Sequence, residues 1–176
     1  MYIGVDPNAS TQPCFKEMIK VIGNNDSSKY KVLLDAMPHA AIQEINFDLC
    51  FLSPPSYDTE IYSDDNKQSI NMFPNFDDWL IEFLFKTINK CWLLIRLDGY
   101  FIIQSLLAPI INSYIRAKIK DACYLGVISV RTGAMRMKPM WIWTKRDPLT
   151  SPHILPSPTE AFNSFNSFNS FNSFSN

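Results

Sequence analysis

Residues 47–56 read Phe-Asp-Leu-Cys-Phe-Leu-Ser-Pro-Pro-Ser, an apolar run followed directly by two prolines. The run Phe47–Leu52 predicts a buried β-strand. A proline cannot donate to a sheet ladder, and it pushes the residue before it toward extended geometry, so the strand must end in a stiff loop. In an open α/β sheet, ligands bind at the carboxyl ends of the strands. The stretch therefore predicts either a rigid ligand-binding loop at Ser53 or a plain proline-rich exit from the strand.

Apolar periodicity along the rest of the chain predicts alternating strands and helices. The predicted strands are 2–5, 30–34, 47–52, 100–104, 125–130 and 140–144, and the predicted helices are about 12–22, 76–92 and 109–122. This order predicts an α/β sheet that is mainly parallel, with an antiparallel pair at one edge. Asp6, Asp35 and Ser53 each follow a strand, so we expect all three at the carboxyl edge. The segment 57–74 is polar and is predicted to be mostly irregular.

Composition limits the classes of function. A chain of 176 residues with 47% hydrophobic residues suits one globular domain with a real core. A net charge of −1 gives no general basic surface for nucleic acid. A local basic run precedes the tail, and it is either a solvated face or an edge that follows phosphates. Its members are Arg131, Arg136, Lys138, Lys145 and Arg146.

The cysteines and histidines argue against a metal site. The four cysteines are widely spaced, no Cys-x-x-Cys pair occurs, and the two histidines, His39 and His153, are far apart. We expect no metal, and reduced thiols in an intracellular compartment, cytoplasmic or nuclear. No apolar stretch is long enough to span a bilayer, and no signal-peptide pattern follows Met1, so no membrane association is expected.

The chain changes character near its end. Residues 147–176 are rich in proline and polar residues and then repeat Phe-Asn-Ser. A three-residue period matches neither the helix nor the strand repeat, so it builds no one-sided apolar face. We predict a domain over residues 1–146 and a disordered, low-complexity tail over 147–176, with an interaction motif in the tail as the alternative.

Several segments occur in the order in which one family carries its motifs. Ser53-Pro54-Pro55-Ser56-Tyr57 resembles (Asp/Asn/Ser)-Pro-Pro-(Tyr/Phe), which follows the fourth strand of that family. Asp98-Gly99-Tyr100-Phe101 resembles the opening of its fifth strand, and residues 138–145 resemble the closing strand of viral and phage-like members. The family is the class I methyltransferases, which are Rossmann-like and use S-adenosylmethionine. The resemblance is to the branch that methylates the amino group of adenine or cytosine in DNA.

The resemblance implies roles for particular residues. Asp6 matches the acid that holds the ribose hydroxyls of the cofactor, and Asp35 matches the acid that contacts its adenine. Ser53 and the carbonyl of Pro54, stiffened by Pro55, would accept the hydrogens of the amino group and return electron density to its nitrogen. These residues act by positioning and electrostatics.

The target base needs a stacking partner, and a base within a duplex would first have to be flipped out. Ser56 stands where the family has a stacking aromatic, so Tyr57 is the candidate to replace it in the catalytic and substrate-binding loop. Loss of that stacking would reduce the free energy of base binding by on the order of 1–3 kcal/mol.

One departure from the family pattern concerns the sheet. The chain begins at the family's second strand, and no Gly-x-Gly sequence occurs. A Rossmann-like sheet without its first, central strand is incomplete and has two unpaired edges. We therefore expect either a truncated methyltransferase or one completed by a partner chain that supplies the missing strand. Two alternatives are a methyltransferase of RNA or of a protein glutamine, and a catalytically inactive binding or scaffold protein.

Overall fold

The computed structural model describes residues 1–147 apart from 25, 27 and 133–135, and the side chains of residues 130–138 also fall outside it. The predicted low-complexity tail from residue 148 onward therefore lies outside the described residues. The chain divides into two compact units. The first contains Met1–Gln43 and Tyr57–Lys90, and the second contains Glu44–Ser56 and the described residues from Cys91 to Asp147.

The first unit contains a two-stranded parallel sheet and helices. Strand β1 pairs with β2 through its whole length, from Tyr2 opposite Tyr30 to Val5 opposite Leu33. Helix α1 has the predicted bounds, 12–22; it carries a proline in its first turn and ends at Gly23. The elements of this part of the chain are β1 Tyr2–Val5, a 3₁₀ turn Ala9–Thr11, α1 Gln12–Ile22, β2 Tyr30–Leu33, α2 Ser69–Met72 and α3 Phe76–Asp78.

The long helix predicted over residues 76–92 forms as one continuous helical stretch of three parts. Helix α3 leads into a π-helical segment, Trp79–Phe85, and then into α4, Lys86–Leu94. The side chain of Asn75 caps the start, accepting from the backbone N–H groups of Asp77 (2.9 Å) and Asp78 (3.2 Å). A π-turn holds more residues than an α-turn, so Trp79 and Leu84, five residues apart, both reach fully buried positions.

The second unit is built on a four-stranded sheet with the strand order β3-β4-β6-β5. Strands β3 and β4 are parallel, and β4, β6 and β5 are antiparallel neighbours, so the predicted α/β class with an antiparallel edge is confirmed. The elements are β3 Phe47–Leu52, β4 Ile95–Gln104, α5 Ala108–Lys118, β5 Ala122–Thr132 and β6 Arg136–Lys145.

Asp98 and Gly99, expected at the opening of a strand over 100–104, lie inside β4, which begins five residues earlier than the sequence suggests. Asp98 has a φ of 60°, and the register against β3 shifts between Phe47 and Leu49. The two residues therefore form an irregularity within a strand, as glycine and a left-handed residue often do at a β-bulge.

The two faces of the four-stranded sheet differ in burial. Phe101 and Ile103 of β4 and Trp141 and Trp143 of β6 are buried on one face. The Phe101 ring lies 6.0 Å from Trp143 and 6.1 Å from Trp92 between centroids. The opposite face, here named the open face, carries half-exposed apolar residues: Leu49, Phe51, Tyr100 and Ile128.

No helix in the described ranges combines the length and the apolar composition needed to cross a membrane.

Candidate functional site

Asp6 lies directly after β1, and two hydrogen bonds fix its carboxylate. The backbone N–H of Asn8 donates to Oδ1 (2.8 Å), and the hydroxyl of Thr11 donates to Oδ2 (2.9 Å). The backbone N–H of Asp6 donates to the carbonyl of Leu33 (3.0 Å), which continues the pairing with β2. A carboxylate oxygen accepts two hydrogen bonds, so each oxygen of Asp6 keeps capacity for a hydroxyl donor.

Asp35 lies just after β2 and faces a cation that sequence patterns do not identify. The backbone N–H of Ala36 donates to Asp35 Oδ1 (2.9 Å), and Lys67 Nζ lies 3.9 Å from the same oxygen. Lys67 Nζ also donates to the carbonyl of Leu34 (3.2 Å). Lys67 lies in an irregular polar loop, so no periodic pattern in the sequence indicates that it contacts Asp35. The contact is seen only in the structure.

The structure brings the two predicted cofactor acids to one edge of the two-stranded sheet. Strands β1 and β2 are parallel and paired through their last residues, so Asp6 and Asp35 both follow the carboxyl end of the pair. This edge offers carboxylate oxygens to hydroxyl and amino donors. Within the described part of the chain, no group of three or more His, Cys, Asp or Glu residues is placed to hold a metal ion.

The Ser-Pro-Pro loop belongs to the second unit. Ser53 directly follows β3 at the carboxyl end of the parallel pair β3–β4, as predicted. Ser53 is exposed, Pro54 is buried, and Pro55 and Ser56 are half-buried. A buried proline next to an exposed serine fits a loop whose backbone is held while its hydroxyl stays accessible.

Tyr57 belongs to the first unit and is packed against aromatic rings there. Its hydroxyl donates to the carbonyl of Pro74, and its ring meets Phe76 and Trp79 edge-on, with centroids 5.3 Å and 5.7 Å apart. Its φ of 47° is costly for a bulky side chain, and these contacts offset the strain. The sequence singles out Tyr57 for stacking on a base. It does not mark Phe76, which is half-buried beside Tyr57.

The polar segment after Tyr57 is organised by one buried side chain. Gln68 is 5% exposed. Its amide oxygen accepts from the backbone N–H groups of Tyr62 (3.1 Å) and Ser63 (2.8 Å), and its amide nitrogen donates to the carbonyl of Glu60 (3.4 Å). This segment also presents Lys67 to Asp35, so Gln68 indirectly shapes the acid pair.

Two residues of the predicted basic run have partners within the second unit. Lys145 Nζ donates to the carbonyls of Trp92 (3.2 Å) and Ile95 (3.1 Å). Arg146 forms an ion pair with Asp98 at 2.5 Å. Both cations therefore have partners within the second unit, and the side chains of the other three members lie outside the described residues.

Two titratable groups on β3 have shifted pKa values. A hydrogen bond from Arg96 (2.6 Å) and its positive charge lower the pKa of Asp48. A hydrogen bond with the Cys91 thiol lowers the pKa of Cys50, which lies three residues before Ser53, while burial opposes that shift. Neither group is among the predicted site residues.

No protein-family model and no curated protein sequence matches this chain. Solved structures match its fold. TrmN from Thermus thermophilus has a TM-score of 0.56 at 12% identity over 81% of this chain and 36% of its own. An rRNA methylase from Streptococcus thermophilus has a TM-score of 0.54 at 7% identity over 82% of this chain and 73% of its own.

A third match is a putative class I S-adenosylmethionine-dependent methyltransferase from Listeria monocytogenes. Its TM-score is 0.54 at 14% identity over 94% of this chain and 53% of its own. The chain thus spans about a third of the length of TrmN and about half that of the Listeria protein. At such identities the likeness concerns the fold, which is the Rossmann-like fold of class I methyltransferases.

Proposed function

We propose that this chain is an S-adenosylmethionine-dependent methyltransferase acting on an exocyclic amino group of a nucleic-acid base, adenine or cytosine in DNA. The observation that carries the proposal is the pair Asp6 and Asp35 at one carboxyl edge, in a chain with the methyltransferase fold. The Ser-Pro-Pro loop at the carboxyl end of β3 supports an amino-group substrate.

The acid pair fits the adenosyl end of the expected cofactor. Asp6 has fixed carboxylate oxygens that can each accept one further hydrogen bond, as two neighbouring ribose hydroxyls would require. Asp35 offers an acceptor for the amino group of the cofactor's adenine, and Lys67 partly neutralises its charge. When bound, S-adenosylmethionine supplies an electrophilic methyl group on a sulfonium centre.

The Ser-Pro-Pro loop would prepare the methyl acceptor. The lone pair of an amino group on a base is delocalised into the ring, so the nitrogen is a poor nucleophile. Acceptance of its two hydrogens by Ser53 Oγ and the Pro54 carbonyl returns electron density to it. Because Pro54 is buried and its ψ is restricted by the following Pro55, the direction of that carbonyl is stiff. A base in a duplex would have to be extruded to reach this loop.

Methyl transfer to nucleic acid tests this proposal. We expect the purified chain to transfer a labelled methyl group from S-adenosylmethionine to DNA, and Ser53→Ala to lower the rate about 100-fold through lost positioning. Ser113→Ala is the matched control, because Ser113 is exposed on α5. RNA and a glutamine-containing peptide are assayed in parallel, since one structural neighbour is an rRNA methylase. Transfer to none of the three would refute the proposal.

The open face favours a second candidate, a catalytically inactive binding protein. Sheets with parallel strands are ordinarily covered on both faces, yet Leu49 and Phe51 of β3 are each 52% exposed. Among the described strands, β3 pairs with β4 alone, so its other edge can accept a strand from a partner chain. A folded chain that binds no cofactor but forms a stable complex with such a partner would favour this candidate.

A further inference from the structure

Gln104 is the last residue of β4 and lies beside the Ser-Pro-Pro loop. Strands β3 and β4 are parallel, and their last paired residues are Leu52 and Ile103. One residue further along each strand are Ser53 and Gln104. Neighbouring strands lie about 4.8 Å apart, so these two residues are adjacent at the carboxyl edge of the pair.

Gln104 and Ser53 also project from the same face of the sheet. Side chains alternate along a strand, so Gln104 lies on the opposite face from Phe101 and Ile103, which are buried. By the same alternation Ser53 shares the face of Leu49 and Phe51, the open face. The β3–β4 register places both sets on one side.

Gln104 is half-buried, and its side-chain amide carries no contact that builds the described part of the fold. Within the described residues no hydrogen bond to its side chain is found, whereas every polar atom of the Gln68 amide is engaged. The turn after β4 is instead shaped by Ser105, whose Oγ accepts from the backbone N–H of Leu107 (3.1 Å). Gln104 therefore keeps both an N–H donor and a carbonyl acceptor at the edge where Ser53 lies.

We propose that Gln104 is a substrate-binding residue that recognises the ring nitrogen next to the amino-bearing carbon of the target base. This inference rests on the proposed function. In adenine and in cytosine the amino group is adjacent to a ring nitrogen with a free lone pair. Ser53 Oγ and the Pro54 carbonyl accept from the amino group, and the Gln104 amide donates to the ring nitrogen. Pairing of Asn or Gln amides with adenine uses the same donor–acceptor complementarity.

The test combines a variant with a modified base. Gln104→Met keeps the side-chain length and removes the donor, and Gln43→Met, at an exposed position, is the control. On a DNA substrate that the wild-type chain methylates, we expect Gln104→Met to lower kcat/KM about 10- to 100-fold, with an unchanged affinity for S-adenosylmethionine and an unchanged unfolding midpoint.

A deaza base then isolates the contact. Replacement of the target adenine by 1-deazaadenine, or of cytosine by 3-deazacytosine, removes the ring nitrogen. The kcat/KM of the wild-type chain should be lower on the deaza substrate than on the natural base by about the same factor. The kcat/KM of Gln104→Met should be nearly the same on both substrates. If wild type and Gln104→Met preferred the natural base over the deaza base by the same factor, or if Gln104→Met kept full activity, the role of Gln104 in base recognition would be overturned. The methyltransferase proposal would still stand. A wild-type chain that methylates no nucleic acid would refute the proposed function, and this inference with it.

Discussion

Replacement of Gly99 by alanine should destabilise the second unit through contacts that cannot relax. A Cβ atom at Gly99 would lie 2.5 Å from Ile95 Cγ2, 2.9 Å from the carbonyl oxygen of Arg96 and 3.1 Å from that of Phe47. Carbon atoms in contact normally lie about 3.5–4.0 Å apart, so the Ile95 contact is short by roughly 1 Å. Two of the three atoms are strand backbone, which cannot shift without disturbing the β3–β4 pair. Overpacking of this kind costs about 1–3 kcal/mol, and we expect the upper end of that range.

Urea unfolding followed by tryptophan fluorescence measures this effect, because Trp92, Trp141 and Trp143 all belong to the second unit. Gly4→Ala is the matched control. There the three atoms nearest to the added Cβ all belong to the side chain of Tyr2, at 3.1 Å or more, and that side chain can move. We expect Gly4→Ala to stay within about 0.5 kcal/mol of wild type. A Gly99→Ala free energy of unfolding equally close to wild type would refute the argument that Gly99 is needed for close approach of β3 and β4.

Three further predictions follow from single contacts. Thr11→Val removes a donor to Asp6 and should weaken S-adenosylmethionine binding about fivefold by calorimetry, whereas Thr11→Ser should restore it. Gln68→Leu leaves two backbone N–H groups without their acceptor and should cost about 1–3 kcal/mol in urea unfolding; no loss would contradict its role in the loop. Burial raises the pKa of Tyr124 to about 12, so ionisation above pH 10 favours the unfolded chain. Stability should therefore fall between about pH 10 and 12 in thermal melts, and Tyr124→Phe, which removes a buried hydroxyl with no partner among the described residues, should make that fall smaller.

The element order could be predicted from local sequence because each strand and helix carries its own periodic signal. β1, β3 and α1 have the predicted bounds. Asp98-Gly99 misled the prediction, because the pair is typical of a turn. In the fold these residues form an irregularity inside β4, held by the hydrogen bond from Thr144 Oγ1 to the Gly99 carbonyl (3.0 Å). That bond joins residues 45 positions apart, so no local pattern could reveal it.

The candidate site could be predicted only in part from the sequence. Asp6, Asp35 and Ser53 each follow a strand, and their position at strand ends could be inferred from strand boundaries alone. Lys67 and Gln68 could not be found in this way, because both lie in an irregular polar segment whose contacts depend on tertiary structure. The packing of Tyr57 against Phe76 and Trp79 likewise joins residues 19 and 22 positions apart, so no local pattern could reveal it.

Calorimetric titration of this chain with S-adenosylmethionine tests the central claim most directly. The account predicts binding that Asp6→Ala weakens at least tenfold, because the carboxylate that would hold the ribose hydroxyls is lost. Asp58→Ala, at an exposed loop acid, should leave the affinity unchanged. A folded wild-type chain that binds no S-adenosylmethionine, or binding that Asp6→Ala leaves unaltered, would contradict the assignment of this edge of the sheet as the cofactor site.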